Sequence, residues 1–441
     1  MTARTAILGG GALGLTLAYR LARAGEPVVV YEAGPDPGGL AAGFRVGPDG
    51  PWLEKFYHHL FGTDHAIVAL IRELGLGDKL SWTTPSTSHL VGGKSYRLDG
   101  VVPAITFAPL PVPDRLRLLG GLGFLKVWPF PERLEGRTAT AWIKRWMGAR
   151  AYGVAFEPLF AGKFGPYADQ VALPWIWSRI HSRTARLGYL RGGFQQLYES
   201  LAAAVKAHGG TVRLGTPVRE VRQVDDASTV QDGGGRLRVT TAAGNETYDR
   251  VVSTLAPRLT YALAPDLPAD FTQRYDWSLA YGAFCLILAL DRPLMSEVYW
   301  LSVADPGYPF GVVVEHTNFQ PAAEYGGRHL VYLGKYLPMD HPLMRATKAE
   351  ALAEMLPHLA RINPDFTPDW VTGSWSFAAP YAQPIVTTDY RARIPPRETP
   401  VPGLYLANMF QVYPQDRGQN YSVVLANQLA ARLLAGPGAG V

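Results

Sequence analysis

Three glycines near the start of the chain have the spacing of a nucleotide-binding turn. Gly9, Gly11 and Gly14 form a G-x-G-x-x-G pattern, and an acidic residue, Glu32, follows downstream. Glycines let backbone N–H groups come close to a pyrophosphate. A carboxylate placed after them can accept hydrogen bonds from the two hydroxyls of a ribose, and it favours an unphosphorylated ribose. The pattern therefore predicts FAD or NAD rather than NADP.

The elements around these glycines must be a strand, a tight turn, a helix and a second strand. Apolar residues 5–8 predict a short buried strand, and leucines then recur at helical spacing. The run PVVVYE predicts a second buried strand that ends at Glu32. This is the order of a βαβ dinucleotide-binding unit. The residues that we expect beside the nucleotide are Gly9, Gly11, Ala12, Leu13, Gly14, Glu32 and Ala33.

A second glycine pair distinguishes between the two nucleotides. Gly38 and Gly39 follow Glu32 within the short loop AGPDPGGLA, where an NAD-binding fold needs no glycines. The order of these motifs, a G-x-G-x-x-G followed by an acid and then by G-G, resembles the pattern of the flavoprotein superfamily of amine oxidases, protoporphyrinogen oxidases and phytoene desaturases. The resemblance implies FAD, with Gly38, Gly39 and Leu40 beside it. Many members carry arginine where this chain has Leu40, so one polar contact to the cofactor phosphates is lost.

Two later segments resemble other parts of the same FAD-binding domain. Between Gly188 and Arg222, a glycine pair, an amphipathic helix and two strands succeed one another. Val218 there matches the family position whose backbone contacts adenine. The C-terminal segment resembles the element that caps the flavin, although Asn408-Met409 replaces its usual G-D. The C-terminal residues that the resemblance places beside FAD are Asn408, Met409, Arg417, Gly418, Asn420 and Tyr421.

These segments predict an α/β fold with two domains. The first is a Rossmann-like FAD-binding domain built from residues 1–82, 188–265 and 393–441. The second is an α+β substrate-binding domain on an antiparallel sheet, built from residues 83–187 and 266–392. Strand-like runs and proline- and aromatic-rich stretches in the second domain indicate a sheet with helices over it.

The segment WLEKFYHHLFGTD, residues 52–64, is the first candidate for proton transfer. In the resembled family this stretch runs past the flavin ring. We expect His58 or His59 to be catalytic, because a histidine that titrates near neutral pH can relay a proton. On a strand the two side chains would point to opposite sides, so only one would face the site. Lys55 and Tyr57 are candidate substrate contacts. We expect no metal site here, because the sequence has no further cluster of metal ligands nearby.

Three further segments supply candidates. The resemblance places Tyr381 and Gln383, in FAAPYAQPIV, beside the flavin as candidate catalytic residues. Glu315 and His316 form a polar cluster on a predicted strand, which suggests the wall of a substrate cavity. Lys335, in YLGKYL, is a weaker candidate for substrate binding. The lysine that many amine oxidases place on the strand before LDRPL is absent, since that run reads AFC, and ordinary amine oxidation by oxygen is therefore not expected.

The whole composition excludes several other classes. The chain has 441 residues, of which 47% are hydrophobic, and a formal net charge of +5. The excess positive charge is diffuse, so we expect a small-molecule substrate and no nucleic-acid partner. No apolar run reaches membrane-spanning length, which still allows peripheral membrane contact. The single cysteine, Cys285, and the absence of a signal peptide predict the cytoplasm, as a monomer or a homodimer.

The function predicted from the sequence is an FAD-dependent oxidoreductase. It would take a hydride equivalent from a C–H bond, next to nitrogen or carbon, of a largely apolar or aromatic small molecule onto flavin N5. One alternative is non-redox flavin chemistry, as in the galactopyranose mutases. A second is a flavin-free protein of the same fold that binds prenyl chains. The retained glycines and Glu32 argue against the second alternative.

Overall fold

The computed structural model describes residues 3–224, 237–276 and 279–435. Its nucleotide-binding region is built on a five-stranded, fully parallel sheet, whose strands are four residues long or shorter and mostly buried. In spatial order they are Thr211–Arg213, Val28–Tyr31, Thr5–Leu8, Arg250–Ser253 and Leu404–Leu406. Segments far apart in the chain thus meet in one sheet. The glycine- and alanine-rich tail, which the sequence predicts to fray, lies after residue 435, outside the described residues.

Three helices pack together beside this sheet. The helix Ala12–Arg23 contacts both Gln195–Ala207 and Gln419–Ala435, and it buries leucines at helical spacing between them. The amphipathic patterns in the sequence predict all three helices. The other α-helices of the described residues are His65–Glu73, Val101–Ile105, Val112–Val127, Ala139–Trp146, Ala149–Ala151, Glu157–Phe164, Leu173–Ser182, Pro257–Leu263, Ala269–Arg274, Lys348–Met355 and Tyr390–Arg393.

A seven-stranded sheet forms the second large layer. All its strand pairs are antiparallel except Val298–Val303 with Ser86–Val91, which run parallel. Its strands in spatial order are Val371–Pro384, Ala280–Leu290, His329–Leu337, Val312–Glu315, Val298–Val303, Ser86–Val91 and Lys94–Arg97. The strand Ala280–Leu290 is buried on both faces. Its successive side chains pack alternately into two hydrophobic clusters, which explains the unbroken apolar run.

Three small sheets and a helical layer complete the fold. The small sheets are antiparallel: Gly43–Arg45 with Trp52–Glu54; Leu60–Phe61 with Leu187–Leu190 and Leu80–Thr83; and Val218–Gln223 with Leu237–Thr241 and Gly244–Tyr248. The helices between residues 112 and 182 enclose a core rich in phenylalanine and tryptophan. This core joins the large sheet through Ala280 and Tyr281, so the helical layer covers one end of that sheet.

Three local expectations differ from the structure. The segment 52–64 is not one strand, because regular pairing stops after Glu54 and resumes only at Leu60. The strand before His316 ends at Glu315, and residues 316–318 form a 3-10 turn. The run TKAEALAEMLPHLARI predicts one continuous helix. The α-helix instead ends at Met355, because Pro357 cannot donate a helical hydrogen bond.

Candidate active site

Both glycine loops lie at the carboxyl ends of the parallel strands, where open α/β sheets bind ligands. Gly11 and Gly38 form a parallel bridge, and the Gly38 N–H donates to the Gly10 carbonyl oxygen over 2.8 Å. Gly9 and Gly38 have φ angles of 108° and 120°, which residues with a Cβ rarely adopt. The two loops line one end of a single cavity of about 1030 Å³. Elements separated in the sequence thus form one cradle.

Glu32 lines the same end of this cavity and also holds the loops together. Its Oε2 accepts a hydrogen bond from the Gly10 N–H at 2.6 Å, and its Oε1 accepts one from the Gly34 N–H at 2.7 Å. An ionised carboxylate offers about four acceptor positions. Two of these positions therefore stay available for hydroxyl groups, as the sequence analysis expects for a ribose.

The C-terminal segment supplies the next part of the cavity wall. Asn408, Met409, Arg417, Gly418, Asn420 and Tyr421 all line it. The Asn420 side-chain oxygen accepts from the Ala66 and Ile67 N–H groups, and therefore also anchors the start of the helix His65–Glu73. Asn408 is 1% exposed, and its Nδ2 is a buried donor without a partner. A buried amide group that faces a cavity unpaired is suited to a ligand acceptor.

Three residues predicted to contact the cofactor do not line the cavity. Gly14 serves packing instead, because a Cβ there would lie 2.0 Å from the Gly9 carbonyl oxygen. Ala33 and Val218 are also absent from the wall, whereas Leu40 belongs to it. Val218 begins an antiparallel strand that pairs with Thr241 and packs on the core below the parallel sheet. Contacts of Ala33 and Val218 with the cofactor stay a prediction.

His58 and His59 both line the cavity, which corrects the expectation that only one would. They lie in the irregular connection after Glu54, where strand alternation does not apply. His58 Nδ1 contacts the Phe56 carbonyl oxygen at 2.6 Å, and His59 Nδ1 contacts the Tyr299 hydroxyl at 3.1 Å. Burial lowers the pKa of His58 to about 4 and that of His59 to about 3. The expectation of titration near neutral pH is therefore wrong, and both rings are neutral there.

Of the other predicted residues near the flavin, three line the cavity. Tyr57, Lys335 and Tyr381 do so, and Tyr381 has a positive φ of 53°, which among the described residues no other non-glycine residue shows. Such backbone strain in a residue that faces a cavity is common at functional sites. Lys335 pairs in register with Phe284, one of the positions where the sequence lacks the family's lysine. Lys55 does not line the cavity, and its Nζ lies 5.9 Å from the Phe377 ring centre.

Gln383, Glu315 and His316 lie outside the cavity, contrary to the sequence prediction. Gln383 is buried, and its Nε2 donates to the Pro384 carbonyl oxygen at 2.7 Å. The Glu315 carboxylate accepts from the Leu294 and Met295 N–H groups, and His316 Nε2 contacts the Tyr325 hydroxyl at 2.8 Å. Because the strand ends at Glu315, these groups turn into the protein interior. There they bond to other groups instead of forming a cavity wall, and Gln383 Oε1 has no hydrogen-bond partner among the described residues.

A charge cluster that was not predicted from the sequence lines the cavity. It consists of Asp416, Lys163, Arg179, Arg183 and Arg417. Arg179 forms an ion pair with Asp416, and Lys163 Nζ lies 3.7 Å from the same carboxylate. One signal in the sequence points to it, because Asp416 directly precedes Arg417, which the resemblance places beside FAD.

The pKa values in this cluster follow from burial and mutual charge. Burial alone would raise the pKa of Asp416, but the four cations outweigh it and hold that pKa below its ordinary value. Burial, followed by the charge of Arg179, lowers the pKa of Lys163 well below its usual range. The same two causes lower the pKa of Arg183 to about 9. One carboxylate thus serves a cluster with an excess of cations.

The remainder of the cavity wall is largely apolar and aromatic. It is formed by the helical layer and by the face of the large sheet that carries Tyr299, Trp300 and Tyr336. The apolar residues contributed by the helices are Leu118, Leu122, Phe156, Leu159, Ile176 and Ile180. Such a lining with a few convergent polar groups is typical of small-molecule sites.

The residues at the glycine end fit the FAD that the sequence predicts. The same cavity is lined by the two glycine loops, by Glu32 with its free acceptor positions, by Asn408 with its unpaired Nδ2 and by the start of the helix Gln419–Ala435. Glycine-rich turns at helix starts suit a pyrophosphate, and acceptors beyond them suit a ribose. The wall leaves the apolar half of the cavity for a substrate.

Comparisons with known proteins agree with this arrangement. The chain is 25% identical over 251 residues to 15-cis-phytoene desaturase of Synechococcus elongatus, covering 51% of this chain and 52% of the relative. It is 37% identical over 250 residues to the enzyme of the same name from Arabidopsis thaliana, covering 51% and 44%. It is 25% identical over 324 residues to hydroxysqualene dehydroxylase of Rhodopseudomonas palustris, covering 67% and 72%. The chain spans about half the length of the phytoene desaturases that it matches.

Solved structures confirm the predicted fold class. A putative protoporphyrinogen oxidase from Exiguobacterium sp. 255-15 superposes with a TM-score of 0.77 at 19% identity, covering 99% of this chain and 100% of that one. A putrescine oxidase gives 0.68 at 17% identity, covering 99% and 100%. A reduced UDP-galactopyranose mutase gives 0.73 at 16% identity, covering 98% and 96%. At these identities the likeness establishes the fold alone.

A family model establishes more than the fold. The model described as flavin containing amine oxidoreductase matches residues 14–414, which is most of the chain. This match confirms the resemblance found in the sequence, and with it FAD as the cofactor. The chain belongs to the flavin containing amine oxidoreductase family.

Proposed function

We propose that this protein is an FAD-dependent oxidoreductase that oxidises a largely apolar small molecule at a C–H bond. The observation that carries the proposal is the single cavity. It runs from the two glycine loops and Glu32 to an apolar, aromatic wall, so cofactor and substrate would share one enclosed space. Bound FAD would supply the hydride acceptor, its N5 atom.

The chain's own residues would orient the substrate and manage protons. The aromatic wall around Trp300 and Tyr336 would exclude water from the reacting bond. His58 and His59 are neutral at neutral pH, and each uses Nδ1 within the protein. The Nε2 atom of either ring therefore has no hydrogen-bond partner among the described residues, and could accept or pass on a proton at the cavity surface.

An absorption spectrum and an anaerobic reduction test the proposal. Purified protein should be yellow, and its visible flavin absorption should bleach when a substrate is added without oxygen. Candidate amines, polyenes and nucleotide sugars should be compared. A colourless protein would favour the flavin-free alternative. A flavin that is never bleached, while a nucleotide sugar is isomerised, would favour the mutase alternative and contradict ours.

The mutase alternative has one observation in its favour. Lys163, Arg179 and Arg183 give the substrate end of the cavity a positive charge that a nucleotide sugar could neutralise. Oxidation is the better proposal, because the three curated relatives described above carry the names of desaturases and a dehydroxylase. Product analysis after incubation with a nucleotide sugar separates the two reactions directly.

We also propose that one surface of the helical layer contacts a membrane. Nine of the thirteen large apolar side chains exposed among the described residues lie in one stretch. They are Val101, Val102, Ile105, Val112, Leu116, Phe124, Val127, Phe130 and Trp146. Arg115, Arg133, Lys144 and Arg145 lie among them and would favour anionic lipids. In the parts of the chain that the structure describes, no helix has the length and apolarity needed to cross a bilayer.

A further inference from the structure

The charge cluster contains more cations than its own carboxylate can pair. Asp416 forms an ion pair with Arg179 and lies near Lys163 and Arg417. Arg417 is satisfied separately, because it donates to the Ala382 carbonyl oxygen and to the Tyr336 hydroxyl. Lys163 and Arg179 have side-chain exposures of only 8% and 11%. The region therefore carries a net positive charge that solvent reaches poorly.

Arg183 is the unpaired member of this cluster. Among the described residues, its guanidinium forms no hydrogen bond and no ion pair, and it lies over the Phe61 ring, 5.5 Å from the ring centre. Its position at the end of the helix Leu173–Ser182 directs it to the cavity, whose wall it joins. A guanidinium presents a planar fork of N–H donors that matches a carboxylate or a phosphate. Arg183 is exposed and lines the cavity, so its free donors are open to an anion that enters the cavity.

The residues around Arg183 indicate the polarity of the rest of the ligand. The helix that ends beside it contributes Ile176 and Ile180 to the cavity wall, and the facing helix contributes Phe156 and Leu159. Apolar surface therefore surrounds the cation on the substrate side. The two glycine loops and Glu32 also line the cavity, and the proposal assigns them to the cofactor.

We propose that Arg183, assisted by Lys163 and Arg179, binds an anionic group, a carboxylate or a phosphate, carried by an otherwise apolar substrate. The proposal rests on the proposed function, because it treats this half of the cavity as the substrate pocket. It narrows the substrate class from an apolar molecule to an amphipathic acid. The anion would accept hydrogen bonds from the Arg183 guanidinium, and the apolar part of the substrate would pack on the apolar wall of the cavity.

Binding to the FAD-loaded protein tests the proposal without turnover. Decanoate, decyl phosphate and decan-1-ol share one chain and differ in the head group, and inorganic phosphate lacks the chain. The melting temperature and the flavin absorption difference should be followed during titration. We expect one or both decyl anions to bind about tenfold or more tightly than decanol and than inorganic phosphate. Equal binding of decanol and both anions would overturn the proposal.

A matched pair of variants locates the site. Arg183→Gln should weaken binding of the preferred decyl anion by about tenfold or more, with unchanged FAD content, because the guanidinium forms no hydrogen bond or ion pair with the described residues and only its contact with the Phe61 ring is lost. The control is Arg186→Gln, an exposed arginine over the Trp82 ring outside the cavity. It should bind like the wild type. Unchanged affinity in Arg183→Gln would contradict the assignment.

The proposed oxidation and the proposed binding of an anionic group can be disproved independently. Flavin bleaching by a substrate tests the oxidation, whereas these titrations measure binding alone. Loss of FAD from Arg183→Gln would mean that the cluster serves the cofactor, and would overturn the substrate assignment. Tight binding of inorganic phosphate that competes with the decyl anions would assign the site to free phosphate and would also contradict an amphipathic ligand.

Discussion

Single residues at this site serve the fold and the ligand together. Glu32 ties the first glycine loop to Gly34, yet keeps acceptor positions for a ribose. Asn420 anchors the helix His65–Glu73, while it also lines the cavity. Substitution at such positions therefore changes both ligand affinity and local order, and the two effects must be measured apart.

We predict that Glu32→Ala weakens FAD binding, because charge-assisted hydrogen bonds worth roughly 1.5–3 kcal/mol each are lost. Glu32→Gln keeps one acceptor oxygen and should lose less FAD. The measurement is the flavin-to-protein ratio after extensive dialysis, with circular dichroism to check the fold. Equal flavin content in the wild type and in Glu32→Ala would contradict the ribose assignment.

We predict that His58→Gln, His59→Gln or both slow flavin reduction while FAD stays bound. Loss of a general acid or base typically costs about 10²–10⁴-fold in rate. Because the pKa values of the two histidines lie near 4 and 3, their neutral forms predominate above those values. These groups should therefore give the rate no pH dependence between pH 6 and 8.

Anaerobic single-turnover reduction measures this effect, and melting curves separate it from a structural role. His208→Gln, at an exposed histidine beside Tyr19, is the control and should react like the wild type. If both cavity variants reduce flavin at the wild-type rate, the proton relay lies elsewhere. Tyr381, which lines the same cavity, is then the next residue to test.

At the scale of elements, the helix Val112–Val127 connects the cavity to the surface. Leu118 and Leu122 line the cavity, whereas Leu116 and Val127 are 62% and 74% exposed. Side chains three and four residues apart share a helix face, so opposite faces of this helix meet the substrate space and the outside. An apolar substrate could pass from a bilayer to the cavity beside such a helix.

We predict that the double variant Leu116→Ser and Val127→Ser reduces binding to vesicles that contain anionic lipids. The fold and FAD content should not change, because both side chains are exposed. Vesicle flotation measures the bound fraction. Leu214→Ser, an exposed leucine far along the chain, is the matched control. Wild-type flotation of the double variant, or no flotation of the wild type, would contradict a membrane contact at this surface.

At the scale of the whole molecule, buried acids and buried histidines make the stability of the fold depend on pH in opposite directions. Burial raises the pKa of Glu54 to about 7 and that of Glu315 to about 8. The stability that these acids contribute is complete below their ordinary value and is lost as pH rises through 7 and 8. Burial lowers the pKa of His89 to about 4 and that of His316 to about 3. Their contribution is complete above 6.5 and is lost as pH falls.

We predict that, between pH 6.5 and 8, the wild type loses more stability, or gains less, than Glu54→Gln does. The histidines titrate alike in both proteins, so the difference between the two pH profiles isolates Glu54 and amounts to roughly 1 kcal/mol. Glutamine can keep the bonds to the Phe194 N–H and the Tyr189 hydroxyl.

Denaturant unfolding of the FAD-loaded protein at several pH values gives these profiles. Glu297→Gln, at an exposed acid, should keep the wild-type profile. The attribution to Glu54 is wrong if Glu54→Gln shows the same change in stability between pH 6.5 and 8 as the wild type.

The sequence by itself determined the cofactor, the family and the main elements. Gly9, Gly11, Glu32 and Gly38 are identifiable because their roles depend on local backbone geometry, which spacing encodes. Period also identified the helices, since side-chain orientation follows the backbone repeat, whereas an unbroken apolar run identified the buried central strand Ala280–Leu290.

Only the tertiary structure decided which polar residues share the cavity. Glu315 and His316 resemble a site in sequence, but the strand ends at Glu315 and both side chains turn inward. Asp416, Lys163 and Arg183 lie far apart in the chain and meet only when the helical layer packs against the C-terminal segment. Charge clusters assembled across such distances leave no spacing pattern, because long-range packing alone brings their members together.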